Sequence, residues 1–475
     1  MVLCGTGHYS QEHVARFPEV LEAKDLSFSR CGRVIDRPNS YYVNITQTSA
    51  KNCNPLKKNM LRRVVITGLG AVSPNGVGRE KFWANTCSGV SGVNRISSFE
   101  PEGLSCQIAG EVTDFDPSEY FSVTDLKKLP RAVPMAVAAS KEALSDAQID
   151  LKSFKEEDCE SLGVLIGSGG AGFDFSEKQF EIFYSGQKNK ISPYAISNSL
   201  VGMLSSELSM FFGLMGRSHV ISTGCTSSTD AMGYAFNTIR FGQADWFLSG
   251  GVESCVTPAM MTGFERMKAN PIHFNDDPQR ASRPFNRDRE GFVLAEGSWM
   301  LVLEEYEHAR RRGASIYAEI LGYGTTCDAY HRVAIMPDGR QSTRAIKLAM
   351  QDACVNSDEV DYINFHGTST LLNDRIETLA VKQAFNSYSS KIPVSSTKSM
   401  IGHPQGASGA LGVSVAALSL REGFLTPTIN QEFSDPECDL DYIPNTGREK
   451  KINIAISNCI SFGSKNSAIV LKRFD

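Results

Sequence analysis

The sequence Ser218-His-Val-Ile-Ser-Thr-Gly-Cys225-Thr-Ser-Ser-Thr229 joins a predicted β-strand to a predicted α-helix. The run Ser218 to Ser222 predicts the strand, and Thr226 to Phe241 predicts the helix. A cysteine at such a corner lies where unpaired backbone N–H groups and the helix dipole favour a thiolate. The corner predicts an α/β fold with Cys225 as candidate nucleophile; a small cysteine wedged between strand and helix is the alternative.

Two later corners carry histidines. Asn364-Phe-His366-Gly-Thr368-Ser-Thr370 follows a predicted strand, and Lys398-Ser-Met-Ile-Gly-His403 precedes a Gly/Ala-rich predicted helix. Ligand crevices form at the carboxyl ends of α/β strands, so this shared setting predicts one site. A satisfied core histidine is the alternative for His366.

Short β-branched runs and helical stretches alternate along the rest of the chain. Further strands are predicted at residues 64–67, 162–166, 246–248, 300–303, 318–321, 362–364, 452–456 and 468–471, and further helices at 132–147, 305–312, 342–354, 374–385 and 407–421. This alternation predicts an α/β fold with a largely parallel sheet. The only sign of an internal duplication is the similarity of Ile-Thr-Gly-Leu-Gly near residue 68 to Glu-Ile-Leu-Gly-Tyr-Gly near residue 322.

We expect three segments. Residues 1–59 lack sustained periodicity and form an extension of unknown role, and the strand-like run after Met60 predicts a folded domain from residue 60. The cluster Arg310 to Gly313 predicts a boundary between residues 60–312, which carry Cys225, and residues 313–475, which carry both histidines.

Composition excludes several classes of protein. The 475 residues carry a net charge of −5, which argues against binding to nucleic acid or to an anionic membrane. The longest apolar run, Ala410 to Leu420, has 11 residues, far fewer than the roughly 18 that span a bilayer. The 12 cysteines include no Cys-x-x-Cys pair, so we expect neither a zinc site nor a disulfide scaffold, and a cytoplasmic location.

The three corners, in this order, resemble the signature of the β-ketoacyl-acyl-carrier-protein synthases, the elongating condensing enzymes of the thiolase fold. The similarity runs from about Arg62 to Phe474 and includes Arg283-Pro-Phe-Asn-Arg-Asp-Arg-Glu-Gly-Phe-Val-Leu-Ala-Glu-Gly297. The resemblance implies a five-layered αβαβα fold of two similar halves, normally dimeric. It also implies a decarboxylative Claisen condensation between an enzyme-bound acyl group and malonyl-acyl carrier protein.

The resemblance also implies a role for each site residue. Cys225 would carry the acyl group, and His366 and His403 would donate hydrogen bonds to the malonyl thioester. The remaining roles are the oxyanion hole and gate (Phe462, with the Cys225 N–H), a charged pair behind the histidines (Lys398 and Glu377), contacts to the pantetheine arm (Thr368 and Thr370) and carrier docking (Lys127, Lys128 and Arg131). The alternative for the three basic residues is a solvated helix end. No metal or redox cofactor is implied, since phosphopantetheine arrives on the acyl carrier protein.

Two departures leave the pathway and the activity open. The family's loop Asn-Ser-Phe-Gly-Phe-Gly-Gly-Thr-Asn reads Asn458-Cys-Ile-Ser-Phe-Gly-Ser-Lys-Asn466 here, which predicts an altered gate because serine lacks glycine's backbone freedom. The text Leu371-Leu-Asn-Asp-Arg-Ile-Glu-Thr378 resembles type II polyketide ketosynthases. The pathway can therefore be fatty-acid or polyketide elongation. The assembly can be a homodimer or a heterodimer with a chain-length-factor subunit. The alternative functions are a non-elongating partner subunit and a thiolase. The thiolase alternative is suggested because Cys459 lies near the position at which thiolases have a second catalytic cysteine.

Overall fold

The computed structural model describes residues 61–463 and 465–475. The predicted extension at residues 1–59 and the predicted start near residue 60 lie outside the described residues.

Strands and helices alternate along the described residues. The strands are β1 Val64–Ser73, β2 Gly76–Val77, β3 Asn94–Arg95, β4 Ile108–Ala109, β5 Gly163–Gly167, β6 Ser218–Ile221, β7 Trp246–Glu253, β8 Gly297–Glu305, β9 Ala318–Cys327, β10 Tyr362–Asn364, β11 Val394–Ser395, β12 Phe424–Leu425, β13 Arg448–Glu449, β14 Ile454–Ser461 and β15 Lys465–Arg473. The α-helices are α1 Arg79–Cys87, α2 Val123–Leu126, α3 Ala132–Asp146, α4 Glu156–Cys159, α5 Phe173–Tyr184, α6 Ala195–Asn198, α7 Met203–Phe212, α8 Ser227–Arg240, α9 Pro258–Arg266, α10 Tyr306–Arg311, α11 Arg340–Ala353, α12 Leu371–Phe385, α13 Lys398–Ile401 and α14 Ser408–Glu422.

The main sheet consists of two half-sheets with the same internal order. The first reads β6-β5-β7-β8-β1 and the second reads β11-β10-β14-β15-β9. In each half the first two pairs are parallel and the last two are antiparallel. The expectation of a largely parallel sheet is therefore wrong. Strands β8 and β15 each run antiparallel to both of their neighbours, so the sheet is mixed.

The two half-sheets meet where β1 pairs with β9. Val64 lies opposite Ile320 and Ile66 lies opposite Ala318 in this short antiparallel ladder. The predicted boundary between residues 312 and 313 falls between α10 and β9 and stays a prediction.

Glycines on the first strand of each half admit a helix at close range. A Cβ on Gly68 would lie 2.1 Å from the carbonyl oxygen of Ala143 in α3, and a Cβ on Gly322 would lie 2.4 Å from that of Ala349 in α11. The same relation holds two residues later, at Gly70 and Gly324. These are the glycines of the sequence repeat, so the repeat marks equivalent strand–helix contacts.

The helices occupy three layers around the half-sheets. Helix α3 packs on β1 and β8, and α11 packs on β9 and β15. Between the half-sheets, α8 packs on β5 and β7, α14 packs on β14 and β15, and the two helices contact each other. Because α14 is buried on every side from Ser408 to Leu420, it needs the small apolar residues that its sequence supplies. The five-layered αβαβα arrangement of two similar halves is thus confirmed. Along the described residues, no helix combines the length and apolarity needed to cross a membrane.

Candidate active site

The three corners of the sequence lie together between the half-sheets. Cys225 lies between β6 and α8, and His403 occupies the equivalent corner of the second half, between β11 and α14. His366 follows β10. The Cys225 Sγ and one ring nitrogen from each histidine all lie within 4.8 Å of one another, and all three side chains are buried. This spacing also suits a metal ion, which the sequence does not predict.

His403 is held between the nucleophile and the start of its own helix. Its Nε2 lies 3.1 Å from Cys225 Sγ, and its Nδ1 lies 2.9 Å from the Ser408 hydroxyl. A hydroxyl both donates and accepts, so Ser408 can support either neutral tautomer of His403. The ring of Phe292 packs edge-on against the imidazole at 5.2 Å. His403 can therefore accept a proton at Nε2 in one step and donate one in another.

His366 stands perpendicular to His403 and is supported by a second thiol. The two ring centroids are 5.1 Å apart with an interplanar angle of 86°. Cys459 Sγ lies 3.3 Å from His366 Nδ1 and 3.1 Å from the Cys225 carbonyl oxygen. Cys459 thus contacts both the histidine and the backbone of the nucleophile.

Burial decides the protonation of the site. It raises the pKa of the Cys225 thiol to about 11, against the opposing effects of Ser461 and Lys398. The expectation of a resting thiolate is therefore wrong, because exclusion of water outweighs the stabilisation offered at the corner. Burial, followed by the charge of Lys398, lowers the pKa of both His366 and His403 well below 6.5. At neutral pH a neutral imidazole faces a protonated thiol.

Glu377 acts on the backbone of the His366 loop. Its two carboxylate oxygens accept the N–H groups of His366 and Gly367, each at 2.7 Å, and Oε1 also accepts the Asn458 amide at 2.6 Å. Burial raises the pKa of Glu377 to about 7. Burial lowers the pKa of Lys398, while the charge of Glu377 opposes that shift. The two groups are electrostatically coupled, but within the part of the chain that the structure describes, no ion pair of 4.0 Å or less joins them.

Thr368 and Thr370 lie on the turn between β10 and α12. Their hydroxyl oxygens are 2.9 Å apart, and Thr370 Oγ1 accepts the Asn373 N–H at the start of α12. The two hydroxyls thus contact each other on the turn that begins two residues after His366.

The gate loop reaches Cys225 through the side chain of Ser461, a contact that the sequence does not predict. The Cys225 N–H donates to Ser461 Oγ at 2.8 Å, and the Ser461 hydroxyl donates to the Phe462 carbonyl at 2.9 Å. The Phe462 N–H lowers the pKa of the Cys225 thiol, and the Phe462 ring lies 6.2 Å from that of Phe292. Ser461 is in extended strand, and the positive φ of 77° falls on Gly463, so serine at 461 is not strained.

Glu253 is a second residue that sequence reasoning missed. This buried acid ends β7 and accepts the N–H groups of Gly169, Gly170 and Gly406 at 2.7–3.0 Å. It connects the glycine-rich loop after β5 to the corner of His403. An acid that ends the apolar run Trp246-Phe-Leu-Ser-Gly-Gly-Val-Glu253 was the available signal.

The predicted docking cluster divides into free and engaged side chains. Lys127 is exposed, and Lys128 pairs with Asp125 at 2.8 Å. Arg131 is engaged: its guanidinium binds both carboxylate oxygens of Glu296 and the Val112 carbonyl, all at 2.7–2.8 Å. Lys127 and Arg131 border a cleft of about 550 Å³ that Lys178 and Lys190 also line.

Comparison with known families identifies both halves of the chain. The description "Beta-ketoacyl synthase, N-terminal domain" matches residues 61–309, and "Beta-ketoacyl synthase, C-terminal domain" matches residues 317–432. Proteins named 3-oxoacyl-[acyl-carrier-protein] synthase 2 are similar over 87% of this chain. The Synechocystis protein is 40% identical with 98% of it covered, the Coxiella burnetii protein 40% with 99% covered, and the Staphylococcus aureus (strain COL) protein 38% with 99% covered.

Solved structures share the fold over the same 87% of the chain. A type II PKS acyl-carrier protein in complex with its ketosynthase, bound to the hexaketide, matches with a TM-score of 0.80 and 34% identity. The ishigamide ketosynthase/chain length factor matches with 0.80 and 32%, and a beta-ketoacyl synthase from Burkholderia phymatum with 0.79 and 31%. Each of these chains is covered completely. With the buried Cys225, His366 and His403 at its centre, the chain belongs to the β-ketoacyl synthase family.

Proposed function

We propose that the chain catalyses the decarboxylative condensation of an acyl group on Cys225 with malonyl-acyl carrier protein, giving a β-ketoacyl-acyl carrier protein. The observation that carries the proposal is the contact of Cys225 Sγ with His403 Nε2 at 3.1 Å, beside the perpendicular ring of His366. A thiol, a base and a second imidazole, buried side by side, are what a two-stage acyl transfer requires.

The first stage transfers the acyl group. His403 Nε2 accepts the thiol proton, and Cys225 Sγ attacks the carbonyl carbon of the acyl-carrier thioester. The N–H groups of Cys225 and Phe462 donate to the oxyanion of the tetrahedral intermediate. The bond from carbon to the carrier's sulfur then breaks, and the carrier leaves as a thiol with the proton from His403.

The second stage forms the new carbon–carbon bond. His366 and His403, both neutral and both with a donor nitrogen, bind the thioester oxygen of the malonyl carrier. Loss of carbon dioxide leaves an enolate that these donors stabilise. The enolate carbon attacks the acyl-Cys225 carbonyl, the bond from that carbon to Sγ breaks, and the departing Cys225 thiolate takes up one proton from solvent, the proton that the condensation consumes. The Ser408 hydroxyl permits the change of His403 tautomer between the stages.

The phosphopantetheine arm is carried by the partner and enters as part of the substrate. We assign its hydrogen bonds to Thr368 and Thr370, whose hydroxyls contact each other on the turn that follows His366 in the chain. Lys398 and Glu377 are positioning residues, because Glu377 holds the backbone of His366.

The acyl chain belongs to fatty-acid or polyketide synthesis. The named relatives are 3-oxoacyl-[acyl-carrier-protein] synthases, and one of the solved structures is a ketosynthase in complex with a type II PKS acyl-carrier protein. The reaction at Cys225 is common to both, so the preferred chain length distinguishes them.

We assign the acyl carrier protein to the cleft beside Lys127 and Lys128. Carrier proteins of this chemistry are acidic, and Lys127, Lys178 and Lys190 offer cations there. We expect Lys127→Glu combined with Lys128→Glu to weaken carrier binding several-fold and to flatten its salt dependence, because surface charge steers such contacts. Titration at two salt concentrations measures this. Unchanged affinity would exclude these lysines, and Arg131, already bound to Glu296, is expected to contribute less.

A second ketosynthase-like chain is the expected partner at the edge strand β6. Helix α7 packs beside β6 and exposes Met210 by 64%, and the neighbouring α6 exposes Ile196 by 81%. An open strand edge next to exposed apolar side chains favours a protein interface. The partner is a second copy or a chain-length-factor subunit. The cytoplasmic location stays a prediction from the cysteine pattern.

Intact-protein mass spectrometry tests the proposal. The wild type and Cys225→Ala are incubated with a panel of acyl carrier proteins and then with malonyl-carrier protein. We expect an acyl adduct that requires Cys225 and turns over to a β-keto product two carbons longer. An adduct that never elongates, even with a candidate partner present, would instead indicate a non-elongating subunit.

A further inference from the structure

Ser461 is where the altered gate loop reaches the nucleophile. It ends β14, and its Oγ accepts the Cys225 N–H at 2.8 Å. The same hydroxyl donates to the Phe462 carbonyl at 2.9 Å. One side chain therefore connects the N–H of the nucleophile to the backbone of the gate residue.

This contact occupies a donor that the reaction needs. A backbone N–H has one proton, so while Ser461 Oγ accepts it, a thioester oxygen cannot do so with good geometry. The glycine that the family places here has no side chain to accept that proton. Ser461 Oγ also lies against the residue before the nucleophile, because a Cβ built on Gly224 would lie 2.2 Å from it.

We propose that the Ser461 hydroxyl is a removable plug in the oxyanion hole, which occupies the Cys225 N–H in the resting enzyme and leaves it when the Phe462 turn rearranges to admit an acyl chain. The inference rests on the proposed function, which assigns the Cys225 N–H to the oxyanion. Ser461 is thus a positioning residue that couples the gate to acylation. A thioester whose chain does not displace the turn meets an incomplete oxyanion hole.

Removal of the Ser461 hydroxyl has opposite expected effects on the rate of acylation, depending on whether the hydroxyl acts as a plug or only on the pKa of the thiol. Ser461 lowers the pKa of the Cys225 thiol, so its removal slows any reaction that depends only on the amount of thiolate. Acylation also needs the Cys225 N–H to be free. Removal of the Ser461 hydroxyl therefore accelerates acylation. Alkylation by iodoacetamide uses the same sulfur but forms no oxyanion.

The experiment compares these two reactions in Ser461→Ala and Ser461→Gly. Rapid quenching and intact mass measure the rate constant for acylation by octanoyl-carrier protein, and a parallel series measures alkylation by iodoacetamide. We expect acylation to rise roughly tenfold in both variants, equivalent to about 1.4 kcal/mol, with alkylation unchanged or slower. The matched control is Ser467→Ala in β15, whose buried hydroxyl has no hydrogen-bond partner among the described residues and whose removal should change neither rate.

The outcomes separate this inference from the proposed function. Acylation that is unchanged or slower in both folded variants overturns the plug, and so does an equal rise in both reactions, which indicates wider access. Acylation of the variants but not of the wild type supports a plug that this substrate cannot displace. If iodoacetamide modifies Cys225 in every variant but no thioester does, the proposed function fails and the plug with it.

Discussion

The two imidazoles of the site are expected to stay neutral under conditions in which an ordinary histidine gains a proton. Burial and the neighbouring Lys398 lower the pKa of His366 and His403 well below 6.5, so the folded enzyme keeps both rings uncharged as pH falls through that value. We predict that their Cε1–H signals, assigned by His366→Gln and His403→Gln, do not shift between about pH 7.5 and pH 5.5 in NMR spectra. A midpoint near 6.5 for either ring would contradict the assignment of burial as the dominant cause.

Glu377 is expected to serve one stage of the reaction and not the other. Its carboxylate accepts three N–H groups from the surroundings of His366, and glutamine would present an amide N–H₂ to one of them. We predict that Glu377→Gln lowers the rate of elongation by about tenfold and leaves acylation of Cys225 unchanged, because the proposed mechanism uses His366 only in the step with the malonyl carrier. Single-turnover assays of each stage measure this.

Glu437→Gln is the matched control for this variant. Glu437 is exposed and pairs with Arg375 at 3.4 Å, so we expect both stages to keep their wild-type rates. An equal loss in both stages for Glu377→Gln would indicate general disorder of the site.

The site residues that could be predicted from the sequence are those whose neighbouring residues indicate a functional role. Cys225, His366 and His403 each follow a strand among small residues, and the structure brings the three together. The supporting contacts of Ser461, Glu253 and Cys459 arise between segments far apart in the chain, so the sequence marks these residues as unusual but does not predict what they contact. The pKa of Cys225 was predicted in the wrong direction for the same reason, because burial is a property of the folded chain.

The crossing of α8 and α14 depends on a glycine. A Cβ on Gly409 would lie 2.0 Å from Thr229 Oγ1 and 2.5 Å from the Thr229 N atom. We predict that Gly409→Ala lowers the free energy of unfolding by about 1–3 kcal/mol through overpacking, and lowers activity further by separating Cys225 from His403. Urea denaturation and the acylation assay measure the two effects.

Gly263 in α9 offers the matching control. A Cβ there meets no atom of residues 61–463 or 465–475 within 4 Å, so we expect Gly263→Ala to raise the free energy of unfolding by about 0.5–1 kcal/mol. Equal effects of the two substitutions would mean that the helix crossing tolerates a methyl group.

The long buried strands and helices were predicted well, whereas the relative direction of the strands in the sheet was not. Runs such as Val64–Ser73 and Trp246–Glu253 are apolar enough to mark strands, although both extend beyond their predicted ends. Strand β11 has two residues, too few for any periodicity. Helices α5 and α7 were missed, and the exposed Phe180 and Met210 obscure their polar faces. The antiparallel return of β8 and β15 depends on tertiary pairing, which alternation alone does not encode.

Assembly is expected to depend on the face beside β6. We predict that Met210→Glu shifts the protein toward monomer, because it places a charge on an apolar surface next to an open strand edge. Light scattering after size exclusion, with and without a co-expressed chain-length-factor subunit, measures the mass. Tyr388→Glu, at an exposed apolar residue of the second half, should leave it unchanged. A monomeric wild type under both conditions would remove the proposed interface.

The matching order of the two half-sheets has a consequence for how such a site could arise. Two copies of one ancestral domain, paired through their first strands, would present two identical corners to each other across a twofold axis. Fusion of the copies into one chain lets the corners diverge without losing their alignment. One corner then keeps the thiol at Cys225 while the other is released to become the base at His403. The division of labour between nucleophile and base is, in this sense, a broken symmetry.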